Sequence, residues 1–162
     1  ILNLSEDEII INVQGDEPFI EIEVVQAVIN RVKQIKENNE DIMITSCYKE
    51  ISSSLADDPN HVKVVLDEHS NAIYFSRAKV PYHRDHHENA TYSGHLGIYG
   101  FTKKSLNAFC KLASSKLENI EKLEQLRAID NGHKIAMVKV VSKSFGIDTQ
   151  EDLNNALKIF GK

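Results

Sequence analysis

The apolar positions of this chain follow two periods. Ile9-Ile10-Ile11 with Val13 is a short β-branched run that stops at Gln14-Gly15-Asp16-Glu17-Pro18. It predicts a strand buried on both faces, as in parallel, helix-covered sheets, ending in a tight turn. Ile20, Val24, Val25, Val28, Ile29, Val32 and Ile35 then recur at helical spacing between charged residues, which predicts an amphipathic helix. After a polar loop at 37–41, residues 42–47 read as a second strand. The strand–helix–strand order implies a right-handed parallel crossover. Residues 51–60, with three serines and Asp57-Asp58-Pro59, read as a linker-like stretch.

Residues 62–66 and 72–76 flank a five-residue turn and predict a hairpin, which makes the sheet mixed. The segment from Arg77 to Gly94 is long, polar and without periodicity, the kind of loop that more often carries function than not. In the strand predicted over 95–101, the period of two puts His95, Gly97, Tyr99 and Phe101 on one face and Leu96 and Ile98 on the other. A helix follows over 103–112. Ser115 with Glu118 forms a capping box for another, expected to run unbroken to Asn131-Gly132 with Glu124 inside its apolar side. A last strand over 135–141 and a closing helix to about Phe160, capped by Thr149 with Asp152, complete the chain.

Composition bounds the function. The 162 residues are 41% apolar and 27% charged, enough for one domain with a sizeable core. A net charge of −5 without a Lys/Arg run argues against nucleic-acid or membrane-surface partners. No apolar run is long enough to span a bilayer, and the expected location is cytoplasmic. Cys47 and Cys110 are isolated in sequence and read as small core residues in a reducing compartment. The chain opens at Ile1 without a methionine and enters a strand almost at once, which suggests a fragment.

The residues with chemistry are few. Gln14, Asp16 and Glu17 stand at the carboxyl end of a strand, where open α/β sheets bind ligands. Asp148 precedes a helix N-terminus, where a cap explains it; paired with Asp16, it would make a hard oxygen site that suits Mg²⁺ beside phosphate. Arg77 and Arg84 could grip a carboxylate or phosphate bidentately. A carboxylate on an apolar helix side, as expected of Glu124, must be paired, bonded or protonated. His83, Asp85, His86 and His87 are zinc-compatible donors, although adjacent loop histidines rarely converge on one ion. No glycine-rich phosphate cradle is present.

Five stretches, in this order, resemble the 3-deoxy-D-manno-octulosonate (Kdo) cytidylyltransferases. They are 13–18 (Val-Gln-Gly-Asp-Glu-Pro); 62–65 leading to Tyr74-Phe75-Ser76-Arg77; 95–99 (His-Leu-Gly-Ile-Tyr); Leu117-Glu118 with 123–127 (Leu-Glu-Gln-Leu-Arg); and 146–149 with Glu151-Asp152-Leu153. The resemblance implies a Rossmann-like nucleotidyltransferase fold, three-layered, with a mixed, mainly parallel sheet. It implies Mg²⁺-dependent transfer of CMP from CTP to 3-deoxy-D-manno-octulosonate for lipopolysaccharide biosynthesis. On it, Asp16 and Asp148 hold the metal. Gln14, Arg77, Arg84, His95, Tyr99, Glu124 and Gln125 line the sugar site, with Arg84 in a surround, Tyr82-His83-Arg84-Asp85-His86, that departs from the family's aromatic-rich pattern. It further implies a homodimer, with residues 61–101 forming the hairpin and loop that serve dimerisation and sugar binding. Family members begin with a strand and a basic loop that holds the CTP phosphates. Nothing here matches it, so the chain is expected to lack roughly the N-terminal third and to be inactive alone. The alternatives are a cytidylyltransferase for a related sugar acid, a non-catalytic sugar-acid binding domain, and a metal hydrolase built on the histidine loop.

Overall fold

The structure, a computed structural model, describes residues 4–15, 17–85, 90–144, 146–147 and 150–160. Six strands form one sheet: β1 (Ile9–Val13), β2 (Ile44–Ser52), β3 (Lys63–Leu66), β4 (Ala72–Ser76), β5 (Thr91–Thr102) and β6 (Ile135–Lys139). The spatial order is β4-β3-β5-β2-β6, with β1 also pairing β5. Helices are α1 (Ile22–Glu37), α2 (Ser53–Asp57), α3 (Lys103–Lys111), α4 (Lys116–Glu121), α5 (Leu126–Asp130) and α6 (Gln150–Phe160).

The long strand β5 sits at the centre and runs against β1, β2 and β3. Because β6 lies parallel to β2, the strands β1, β2, β3 and β6 share one direction, opposed by β5 and β4. The sheet is mixed as expected, but among the described residues only β2 with β6 pairs in parallel. The strand–helix–strand order of β1, α1 and β2 does give co-directional strands. They are separated by β5, an arrangement that a pattern of local periodicity cannot anticipate because it is set by pairing between segments far apart in the chain, such as Ile9 with Thr102 and Thr45 with Gly100. Ile9 to Ile11 are accordingly half-buried rather than buried on both faces.

Helices cover both faces. On one side α1 packs Val24 and Val28 against Cys47, Leu96 and Ile98. On the other, the cluster of Ile44, Val64, Phe75, Phe101, Leu126 and Met137 is covered by the segment from α3 to α5. These are the three layers expected. The close approach of α1 depends on Gly100, where an added Cβ would stand 2.7 Å from Val32 Cγ2 and 2.8 Å from Val28 Cγ1.

Three local readings change. Residues 51–60 are the end of β2 and the short helix α2, capped by the Ser52 hydroxyl, rather than a linker. Strand β5 begins at Thr91, so the preceding loop is shorter than its polarity suggested. The helix expected over 116–131 breaks: α4 ends at Lys122 in the left-handed region (φ 56°), and α5 starts at Leu126. The capping box at Ser115 and Glu118 forms with both reciprocal bonds, but the apolar period of three continues across the break and hides it. Glu118, not Glu124, is the carboxylate on the apolar side. It is 8% exposed and paired with Arg127, while Glu124 is exposed. The thiol of Cys47 is buried and pushed up to about 12 by that burial, whereas Cys110 is exposed.

Candidate functional site

Strand β2 occupies one edge of β5 along most of its length, leaving β1 and β3 to share the other. The β1 ladder ends where Gln14 N donates to Gly97 O (3.0 Å), and β3 takes over where His95 N donates to Val62 O (2.8 Å). The register between β2 and β5 also shifts here, between Ser46 and Cys47. Bulges of this kind re-aim a strand locally. A cavity of about 310 Å³ opens at this handover, with the α4–α5 break as its opposite wall.

Of the residues expected to line a sugar site, the cavity brings together Gln14, Arg77, His95, Tyr99, Glu124 and Gln125. Arg84 is exposed in the segment after β4 and does not line it. His83 packs edge-on against Tyr92, with ring centroids 5.1 Å apart. His86 and His87 lie outside the described residues, and among the described residues no cluster of His, Cys, Asp or Glu is gathered to hold a metal.

His95 is held by Ser46, which the sequence reading did not single out. Ser46 Oγ donates to Ile98 O (2.7 Å), so its lone pair receives the His95 Nε2–H at 2.8 Å. That fixes the tautomer and leaves Nδ1 as the ring's acceptor. Burial pulls the imidazole down to about 3, so the ring is neutral in the ordinary pH range. Phe75 and Tyr99 flank it at centroid distances of 4.9 and 5.5 Å.

Arg77 is anchored on three sides. Its N–H donates to Glu121 Oε2 (2.9 Å), its Nε to Glu121 O (2.8 Å) and its Nη1 to Pro59 O (3.1 Å). Burial raises the Glu121 carboxyl, but bonds from Arg77 N, Ser76 Oγ (2.7 Å) and Tyr74 Oη win and hold it below the usual range. Lys63, fully buried, ties the Arg77 and Asp58 carbonyls together through its Nζ (2.6 and 3.0 Å). Burial pulls that ammonium down, opposed chiefly by Asp58. The Arg77 Nη2 group has no partner among the described residues. An anchored guanidinium with one free edge is a ready anion grip. Glu121 and Lys63 were missed because they act through positions far away in sequence.

Gln125 is 3% exposed. Its Oε1 accepts from Tyr99 Oη at 3.1 Å, and its Nε2 is buried without a hydrogen-bond partner among the described residues. A buried donor left unpaired is costly, typically about 1–3 kcal/mol, unless something else receives it.

Asp16 and Asp148 lie outside the described residues, but the chain around them is tied together. Gln14, Glu17 and Gly146 line the same cavity. The carboxylate of Glu17, 6% exposed rather than solvated, accepts from Gly97 N (3.2 Å) and from Ser144 Oγ (2.7 Å). Glu21 accepts from Ser142 Oγ (2.5 Å) and Lys143 N (2.7 Å), and Lys49 reaches from β2 to the Ser144 carbonyl.

A mixed α/β sheet with an anion grip, a neutral imidazole and an unpaired amide around one cavity fits a group-transfer enzyme acting on a small polar anion, and the comparisons agree. The chain belongs to the cytidylyltransferase family, whose model matches residues 1–135. Within that family it is similar to 3-deoxy-manno-octulosonate cytidylyltransferases. It is 54% identical over 163 residues to that of Wolinella succinogenes, covering 99% of this chain and 67% of the relative. Against that of Nitratiruptor sp. it is 53% identical over 154 residues, covering 94% and 63%. Against that of Helicobacter pylori it is 51% identical, covering 99% and 65%. The chain therefore spans about two thirds of the length of these curated relatives. A solved structure of CMP:2-keto-3-deoxy-manno-octonic acid synthetase complexed with CTP matches with a TM-score of 0.80 at 33% identity, covering 93% of this chain and 61% of that one. No helix among the described residues is long and apolar enough to cross a membrane.

Proposed function

We propose that this chain forms the sugar-acid side of an enzyme that transfers CMP from CTP to 3-deoxy-D-manno-octulosonate, releasing pyrophosphate, in the cytoplasm. The observation that carries the reading is that one cavity is lined both by Arg77, anchored with its Nη2 uncommitted, and by Gln125, whose buried Nε2 has no hydrogen-bond partner among the described residues. Arg77 pairs with the carboxylate of the sugar acid. Gln125, oriented by Tyr99, donates to one of its hydroxyls, and His95 Nδ1 accepts from another. A neutral ring suits that role, because an imidazolium would present only donors.

In the reaction, the anomeric hydroxyl loses its proton and its oxygen bonds to the α-phosphorus of CTP, as the bond to the pyrophosphate oxygen breaks. Asp16 and Asp148 are assigned to a Mg²⁺ ion: two carboxylates are the hard oxygen donors it takes while keeping positions for phosphate and water. The ties between residues 17–21 and 142–144 support that pairing. When bound, Mg²⁺ neutralises charge on the transferring phosphoryl group.

The test is Mg²⁺-dependent pyrophosphate release from CTP plus Kdo by the complete gene product, with a panel of other sugar acids alongside. Release with Kdo well above the panel is the expected result, and Arg77→Ala raises KM for the sugar acid at least tenfold, the usual scale for a charged hydrogen bond. Silence with every sugar acid defeats the assignment. The same reading makes the enzyme a homodimer built through residues 61–101. Light scattering on the complete product at twice the protomer mass is expected; a well-behaved monomer contradicts it.

A further inference from the structure

We propose that Lys122 is a specificity-determining residue of this cavity, a second cation that selects a substrate bearing an anionic oxygen group. The inference rests on the reading of the cavity as a substrate site. Lys122 lines it, one residue after the Glu121 that anchors Arg77. Its backbone is left-handed, with φ 56° and ψ 47°, where glycine or asparagine is the usual occupant of a helix-terminating turn. The bonds that make the turn are main-chain: Lys122 N and Leu123 N (3.3 Å) both donate to Glu118 O. Any residue supplies them, and glycine does so without the clash of a Cβ.

The turn therefore has no need of a lysine side chain. Among the described residues its ammonium has no hydrogen-bond or ion-pair partner. Of the carboxylates nearest in sequence, Glu118 is taken by Arg127 and Glu121 by Arg77, Ser76 and Tyr74, while Glu124, two residues on, lines the same cavity and makes no ion pair among the described residues. A non-glycine residue held in the left-handed region in the wall of a cavity, with a charge that the fold does not use, is placed to meet a ligand. The group it meets is either the carboxylate of the sugar acid or a phosphate of the nucleotide.

Titration calorimetry on the complete gene product separates these, with Kdo, its methyl ester and CTP as separate ligands. The proteins are the wild type, Lys122→Gln and Lys122→Gly. Both variants are expected to bind the free acid about fivefold more weakly, as for one exposed charge pair. Binding of the ester stays unchanged, so the preference for acid over ester shrinks. Lys122→Gly is also expected to raise the melting temperature by about 3 °C, by relieving the left-handed turn. Weakened CTP binding with unchanged acid binding supports the same cation role and moves its partner to the phosphate. Unchanged binding of all three ligands, or a melting temperature lowered by Lys122→Gly, overturns the proposal and leaves the Arg77 assignment standing. A wild type that binds neither acid nor CTP defeats the reading of the cavity itself, and this role with it.

Discussion

Asp16→Asn in the complete gene product is expected to lower CMP transfer by about a thousandfold or more, with the thermal unfolding temperature unchanged. The substitution keeps the shape of the side chain and removes the charge that would hold the metal. The neighbouring Glu17 is buried and bonded to Gly97 N and Ser144 Oγ, bonds that the substitution does not touch. Activity and stability therefore separate. Raising Mg²⁺ is expected to recover part of the loss, since a weakened site fills at higher concentration. Steady-state rates across a Mg²⁺ titration, with a melting curve for each protein, check both statements. Turnover within a few-fold of wild type would reduce the 14–18 stretch to an ordinary loop.

The second large effect is on stability in acid. His95 is half-buried in the cavity wall, and desolvation holds its imidazole down to about 3, against an ordinary value of 6.5. A group whose folded value is depressed contributes stability that is fully present above 6.5 and is lost as pH falls from 6.5 toward 3, because the unfolded chain takes up the proton first. Across the middle of that window the slope approaches one proton, about 1.4 kcal/mol per pH unit. Glu118 acts lower: hydrogen bonding to Arg127 holds it down to about 2, so its contribution, full above 4.5, is lost between 4.5 and 2. The interval from pH 6.5 to 4.5 thus isolates the histidine. Urea unfolding of wild type and His95→Gln across it is expected to show a steep decline only in wild type. Parallel declines would place the titrating group elsewhere.

How much of this was legible in the chain depended on the range of the interaction. Val24, Val28, Val32 and Ile35 announced α1 because a helix buries a stripe set by its own period. The capping box at Ser115 and Glu118 and the hairpin are local in the same sense, and the period of two put His95, Gly97 and Tyr99 on the cavity face of β5, while the cap expected of Thr149 with Asp152 lies outside the described residues. The insertion of β5 between β1 and β2 was not legible, nor were the partnership of Glu118 with Arg127 nine residues on and the grip of Glu121 on Arg77 across 44. Each is decided by which distant segment arrives. The break at Lys122 is local yet concealed, since Leu117, Leu123 and Leu126 keep an apolar rhythm on both sides of it. Arg84, carried over by position in a stretch whose pattern differs, is exposed and does not line the cavity.

The two walls of the cavity differ in how freely they can change. On β5, side chains facing the cavity alternate with Leu96, Ile98 and Gly100, which pack against α1, so inserting or deleting one residue would exchange core for site. That wall is frozen by the fold. The facing wall, residues 121–125, is a break between two short helices and belongs to no ladder. Within it Glu121, Leu123 and Gln125 are committed to Arg77, to the core and to Tyr99, so the room for changing what the cavity meets lies at the exposed Lys122 and Glu124.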